Sequence, residues 1–165
     1  MGYFNPVFQY GCEEFVKDAA DAGADGLIIV DLPPEEDEEL RIPAQNAGLD
    51  FIKLLTPTTK GERLDTVLAN ASGFLYYVSI AGVTGTKSAN IDEVGAHIQE
   101  IKAKTDLPVA VGFGIKTPDD AKAMSQVCDA VVVGSAIVSN MHANQNNDDM
   151  PTIIKDQVSD LKKAI

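Results

Sequence analysis

Val109-Ala-Val-Gly112-Phe113-Gly114-Ile115 and Ala130-Val-Val-Val-Gly134-Ser135-Ala-Ile-Val138 decide the fold, with 22 residues separating Gly112 from Gly134. Each is a short β-branched run that stops at glycine and hands over to a helical pattern. Glycine at a strand end lets a ligand approach the main chain. Amides at the start of a helix suit an anion. The pair therefore points to a phosphorylated small molecule held at the ends of two neighbouring strands.

Working outward, the same alternation runs through the chain. Strands are predicted to begin at Gly26 (GLIIV), Phe51 (FIKLL), Phe74 (FLYYVSI), Val109 and Ala130, with residues 1–4 as the tail of another. Helices are predicted over 12–22, 36–47, 61–69, 91–105, 118–126 and 152–164. Their faces follow a helical period: Phe15, Ala19 and Ala22; Val94, Ile98 and Ile101; Ile154, Val158 and Leu161. Thr117-Pro-Asp-Asp reads as an N-cap followed by proline at the first helical position. The strands are apolar along their whole length, which implies a sheet buried on both faces and a parallel α/β architecture.

Counting units sharpens this. Strand starts are spaced 25, 23, 35 and 21 residues apart, and the long interval holds Ala81-Gly-Val-Thr84-Gly85-Thr-Lys-Ser-Ala-Asn90. A long glycine-containing loop at a strand end is often functional. About six parallel β/α units result, a partial (β/α)8 barrel, since the full barrel needs roughly 200 residues or more. In such a barrel the last two strands and their loops are the usual phosphate-holding place. An array short of closure carries open sheet edges. No interior boundary is marked, so 1–165 is read as one domain; 140–149 is a polar loop.

Composition excludes several classes. With 45% hydrophobic and 23% charged residues the chain is an ordinary globular sequence. No apolar run approaches the ~20 residues of a membrane span, and the first residues lack the pattern of a signal peptide. A cytoplasmic setting with no membrane partner is the expectation. The formal net charge of −12 argues against a nucleic acid partner. The acidic run Pro34-Glu-Glu-Asp-Glu-Glu39 reads as the exposed first turn of a helix. Cys12 and Cys128 are isolated and read as free thiols, and His97 and His142 each stand alone, so no metal site is expected.

Ligands of parallel β/α sheets sit at the carboxyl ends of the strands. That rule selects Tyr3, Asn5, Asp31, Thr56, Pro57, Tyr76, Gly82, Thr84, Gly85, Phe113, Gly114, Gly134 and Ser135. Asp31 alone is a carboxylate directly ending an apolar strand, either a general base or an aspartate that holds backbone amides. No second strand-end carboxylate accompanies it, and Asp129 belongs to the opposite end. Tyr3 and Tyr76 are either pocket lining or core. Ser135 lacks a neighbouring base and is better placed to donate to a phosphate than to act as a nucleophile.

The ordered set MGYFNPVFQYG, GLIIVDLP, FIKLLTPTT, GFLYYVSIAGVTG, LPVAVGFGI and VVVGSAIV resembles the tryptophan synthase alpha subunit over nearly the whole chain. The resemblance implies cleavage of indole-3-glycerol phosphate to indole and glyceraldehyde 3-phosphate without a cofactor. It also implies a complex with a pyridoxal-phosphate-dependent beta subunit, a heterotetramer in the family. By position it implies phosphate contacts at Gly85, Gly114, Gly134 and Ser135 beside Phe113, and an indole-side lining at Tyr3 and Tyr76. Residues 83–90, with Thr84, become the mobile loop, and Asp31 the strand-end aspartate of the VDLP segment. The family's acid–base Glu and its partner Asp fall upstream of Met1, leaving no catalytic residue here beyond Asp31 as a possible auxiliary. Two alternatives stay open: a non-catalytic phosphate-binding or beta-subunit-docking module, and another sugar-phosphate barrel enzyme.

Overall fold

Each apolar run forms a parallel strand paired to the run before it in sequence. The computed structural model describes residues 1–79, 91–112 and 114–165. Strands β1 (Gly26–Leu27) and β2 (Asp50–Phe51) form one pair, and β3 (Lys53–Leu55), β4 (Leu75–Val78), β5 (Val109–Gly112) and β6 (Ala130–Val132) form a four-stranded sheet in that order. Only Ile52 separates β2 from β3, and its amide still donates to the Leu27 carbonyl at 3.0 Å. The predicted first strand survives as a parallel bridge from Gly2 to Ile29. The result is a parallel α/β array, part of a (β/α)8 barrel.

Register sorts the side chains into two faces. Leu75 and Tyr77 lie opposite Val109 and Val111, and all four are at most 1% exposed beneath the helices. Tyr76 lies opposite Ala110, and Val78 opposite Gly112, on the other face. β4 and β5 are thus covered on both faces, as their unbroken apolar character predicted. β6 is not: Ala130 is exposed and Val131 and Val132 are half-buried.

The helices are α1 (Phe4–Tyr10), α2 (Cys12–Asp21), α3 (Glu38–Asn46), α4 (Glu62–Leu68), α5 (Ile91–Lys102), α6 (Pro118–Ser125), α7 (Ser135–Ala143) and α8 (Met150–Ala164). In α6 Thr117 is the N-cap that the sequence announced, its hydroxyl accepting from the Asp120 amide, and the Asp120 carboxylate accepts from the Thr117 amide in return. The α5 face is as predicted, with Val94, Ile98 and Ile101 buried. On α2 the expected Phe15 and Ala19 pack against the core beside the buried Cys12 and Val16, while Ala22 is exposed. On α8 Leu161 is buried and Val158 is 43% exposed.

One element escaped the sequence reading, and another, the helix expected after Gly134, runs further than expected. α1 contains Pro6, which reads as a turn but sits in the first helical turn, where its missing N–H has no intrahelical partner to lose. Gly11, at φ 98°, then breaks the chain direction between α1 and α2. α7 occupies the first part of the stretch expected to be a polar loop.

The apolar core comes in two parts. One gathers residues such as Leu55, Leu75, Tyr77, Ile98 and Val111. The other gathers Val16, Leu27, Leu40, Ala44 and Phe51. Lys53 stands between Phe51 and Leu55 in the chain, and with Asp37 and Arg41 it forms a buried polar seam. The acidic run is accordingly not wholly solvated: a 3-10 turn covers Pro34–Glu36, and Asp37 is fully buried. Its carboxylate accepts from Arg41 Nε at 2.7 Å and from Lys53 Nζ.

Candidate functional site

The carboxyl ends of β4, β5 and β6 are adjacent and level, because Val78 pairs with Gly112 and Gly112 with Val132. The two strand-end glycines, Gly112 and Gly134, have different surroundings. A Cβ on Gly112 would lie 2.7 Å from Tyr76 Cε1 and closer still to the hydroxyl. Gly112 is therefore required by the Tyr76 ring, correcting the expectation that its bare main chain faces a ligand. Gly134 has nothing within 4 Å of the corresponding position. It caps α7 with no side-chain hydrogen bond, so the first amides of that helix open outward at the end of β6. Ser135 is exposed beside it.

Tyr76 is 7% exposed, and burial pushes its hydroxyl above the usual phenol range. It packs on the face of the sheet away from the helices. Gly114 follows at φ 83°. Thr84, Gly85, residues 80–90 generally, and Phe113 lie outside the described residues.

At the other end of the array, Asp31 and Thr56 line a cavity of about 550 Å³. Asp31 Oδ1 accepts from the Phe4 amide at 2.7 Å. Of its two readings, the one that holds a backbone amide is the one seen, although the amide belongs to α1 rather than to its own loop. Tyr3, the residue before α1, is 64% exposed. The structure thus groups Asp31 with Thr56, and Tyr76 with Gly112; Gly134 and Ser135 stand together at α7. Asp129 lies at the opposite end, accepting from Lys102 Nζ at 2.5 Å and from the Val109 amide at 2.9 Å, where β5 begins. The Lys102 hydrogen bond holds its carboxyl below the usual range. Both thiols are free, with Cys12 buried.

The sequence reading missed one polar network near this face. His97, 4% exposed, links Tyr77 to the loop after β3. Its signal was weak, because its partners are 20 and 38 residues away. Among the described residues, no group of three or more His, Cys, Asp or Glu is arranged to hold a metal ion. No helix of the described residues is long and apolar enough to cross a membrane.

A parallel strand array with its polar features gathered at the strand ends defines a β/α-barrel protein. A family model for the tryptophan synthase alpha chain matches residues 1–165, and the chain belongs to that family. Solved relatives agree. The alpha subunit from Legionella pneumophila strain Paris superposes with a TM-score of 0.88 at 39% identity, covering 100% of this chain and 61% of that one. The Mycobacterium tuberculosis tryptophan synthase gives 0.86 at 33% identity, covering 99% and 60%. A tryptophan synthase α2β2 complex from Pyrococcus furiosus gives 0.83 at 29%, covering 98% and 64%. The chain thus spans 60–64% of the length of these solved relatives.

Proposed function

We propose that this chain holds indole-3-glycerol phosphate for the lyase reaction of tryptophan synthase, which yields indole and glyceraldehyde 3-phosphate. The observation that carries the reading is the uncovered first turn of α7 at Gly134 and Ser135, which follows β6 directly beside the end of β5 at Gly112. Phosphate oxygens accept from the Ser135 and Ala136 amides and from the Ser135 hydroxyl, with the helix dipole favouring the anion. By the resemblance, Gly114 and Gly85 join the phosphate contacts with Phe113 beside them, and Thr84 belongs to the family's mobile loop. Tyr76 and Tyr3 line the indole side. No cofactor is needed, because the protein's task is to orient one substrate and move protons. The setting is the cytoplasm, and the partner is a beta subunit that consumes the indole.

The cleavage protonates indole C3 while a glycerol hydroxyl loses its proton. Asp31 serves α1 through the Phe4 amide, so its part is to position the segment carrying Tyr3. The resemblance puts the acid–base Glu and Asp outside residues 1–165. Loss of each such group costs roughly 10²–10⁴-fold in rate. A 165-residue polypeptide is therefore expected to bind indole-3-glycerol phosphate while its release of indole is very slow or absent. A spectrophotometric assay for indole, with and without added beta subunit, checks this. Steady turnover by the chain alone would refute the assignment of roles. Membership of the family sets aside the reading as another sugar-phosphate barrel enzyme. Capture by the beta subunit without binding of indole-3-glycerol phosphate would instead favour the docking module.

A further inference from the structure

The loop that follows β3 is a partition between two cavities. Thr56, Thr58 and Thr59 line the larger one, of about 550 Å³, which also holds Asp31. Pro57 and Lys60 line a smaller one behind it, of about 320 Å³, which holds His97 and Tyr77. The front of the partition is a knot of hydroxyls. Thr56 Oγ1 lies 2.9 Å from Thr58 Oγ1 and 3.1 Å from Thr59 Oγ1, and the Thr56 amide donates to Thr59 Oγ1 at 3.1 Å.

From behind, one imidazole fixes this loop to the sheet. His97 Nε2 is 3.0 Å from the Thr59 carbonyl oxygen, and Nδ1 is 3.0 Å from the Tyr77 hydroxyl. A carbonyl only accepts, so Nε2 carries a proton, and in the neutral ring Nδ1 then accepts from the Tyr77 hydroxyl. The rings meet edge to face, with centroids 5.4 Å apart and planes at 81°. Both side chains are buried, at 4% and 1% exposure. Three separate pieces are thereby held together: the loop after β3, strand β4 and helix α5. Tyr77 is next in the chain to Tyr76, which sits on the opposite face of β4. Anything that fixes the Tyr77 ring also fixes the strand that presents Tyr76.

We propose that His97 is a positioning residue for the indole-side half of the substrate site, holding the Thr56–Thr59 wall and β4 in one arrangement. The inference rests on the reading of the strand-end face as the indole-3-glycerol phosphate site. It makes a claim that a general structural role does not. The phosphate end lies at α7 after β6, three strand spacings from β3, or about 14 Å. Disturbing His97 should therefore weaken the grip on the whole substrate and leave the grip on phosphate alone unchanged.

The test is calorimetric titration of the 165-residue chain with indole-3-glycerol phosphate and, separately, with inorganic phosphate. His97→Phe removes both hydrogen bonds and is expected to weaken indole-3-glycerol phosphate binding by roughly tenfold or more, since a small misplacement of a wall is costly. Inorganic phosphate affinity should stay within about twofold. His97→Gln, whose amide still donates to the Thr59 carbonyl, should recover most of the loss. Tyr77→Phe removes one oxygen and little volume, and decides the matter if His97→Phe does not fold; a selective loss for the indole ligand is again expected. Equal loss of both ligands, or no loss of either, would overturn the positioning role. Wild-type chain that binds neither ligand would overturn the site reading itself.

Discussion

Replacing Asp37 by asparagine is expected to lower the unfolding free energy by ~3–5 kcal/mol, the cost of breaking a buried ion pair from one side. The reason is the charge count of the seam. Asp37, Lys53 and Arg41 are 0%, 4% and 8% exposed, so one carboxylate serves two buried cations. Removing its charge leaves the Lys53 ammonium buried without its carboxylate, while Arg41 keeps only Gln45 Oε1 at 3.1 Å and the exposed Glu38 at 3.8 Å. Burial already pushes the Lys53 ammonium below its usual range, with Asp37 acting in the opposite direction. Removing Lys53 is a different experiment. Asp37 keeps Arg41 at 2.7 Å, and a methionine retains the stem that lies over Phe51, where Nζ is now 4.4 Å from the ring centroid. Lys53→Met should then change stability by no more than about 1 kcal/mol in either direction. Urea denaturation of the two variants checks the asymmetry. Equal losses would mean that the seam is not governed by this carboxylate.

The second large effect is expected at Gly112. Gly112→Ala places a methyl group inside contact distance of the Tyr76 ring, and overpacking of this kind costs ~1–3 kcal/mol. Gly134→Ala meets nothing within 4 Å and should cost less than about 1 kcal/mol, the scale of a weakened N-cap. The ring must be the cause of the difference, so Gly112→Ala and Tyr76→Ala should couple by about 1 kcal/mol or more in a double-mutant cycle. Thermal or urea unfolding of the four proteins gives that number. No coupling would leave the glycine without the reason assigned to it.

Much of the architecture was legible because it is repetitive. Apolar runs bounded by turn residues, with helical periods between them, require only local reading, and the strands form where those runs lie. The failures came where a distant residue decides the local outcome. Asp37 reads as one carboxylate in a solvated acidic run, but its surroundings are settled by Lys53, 16 residues later. A lysine inside the apolar strand FIKLL was the available sign of a buried partner. Gly112 reads as an opening for a ligand until the register puts Tyr76 over it. His97 reads as a solitary helix residue until the fold brings Tyr77 and the Thr59 carbonyl to its two nitrogens. α1 was hidden by Pro6, which signals a turn in isolation and is harmless at a helix start. The strand-end rule picks out a face of the molecule as the candidate site, and the packing of the individual residues on it was not legible from that rule.

The central claim is that α7 begins where the substrate phosphate is held. Its most direct test is titration of indole-3-glycerol phosphate into the wild-type chain and into Ser135→Asp, followed by calorimetry, with melting curves for both proteins. A carboxylate at Ser135 sets a like charge against the phosphate, yet it suits the first turn of a helix, so folding should be unaffected. The account predicts saturable binding by the wild-type chain and a loss of roughly tenfold or more in the variant at unchanged melting temperature. Equal affinity of the two proteins would contradict it.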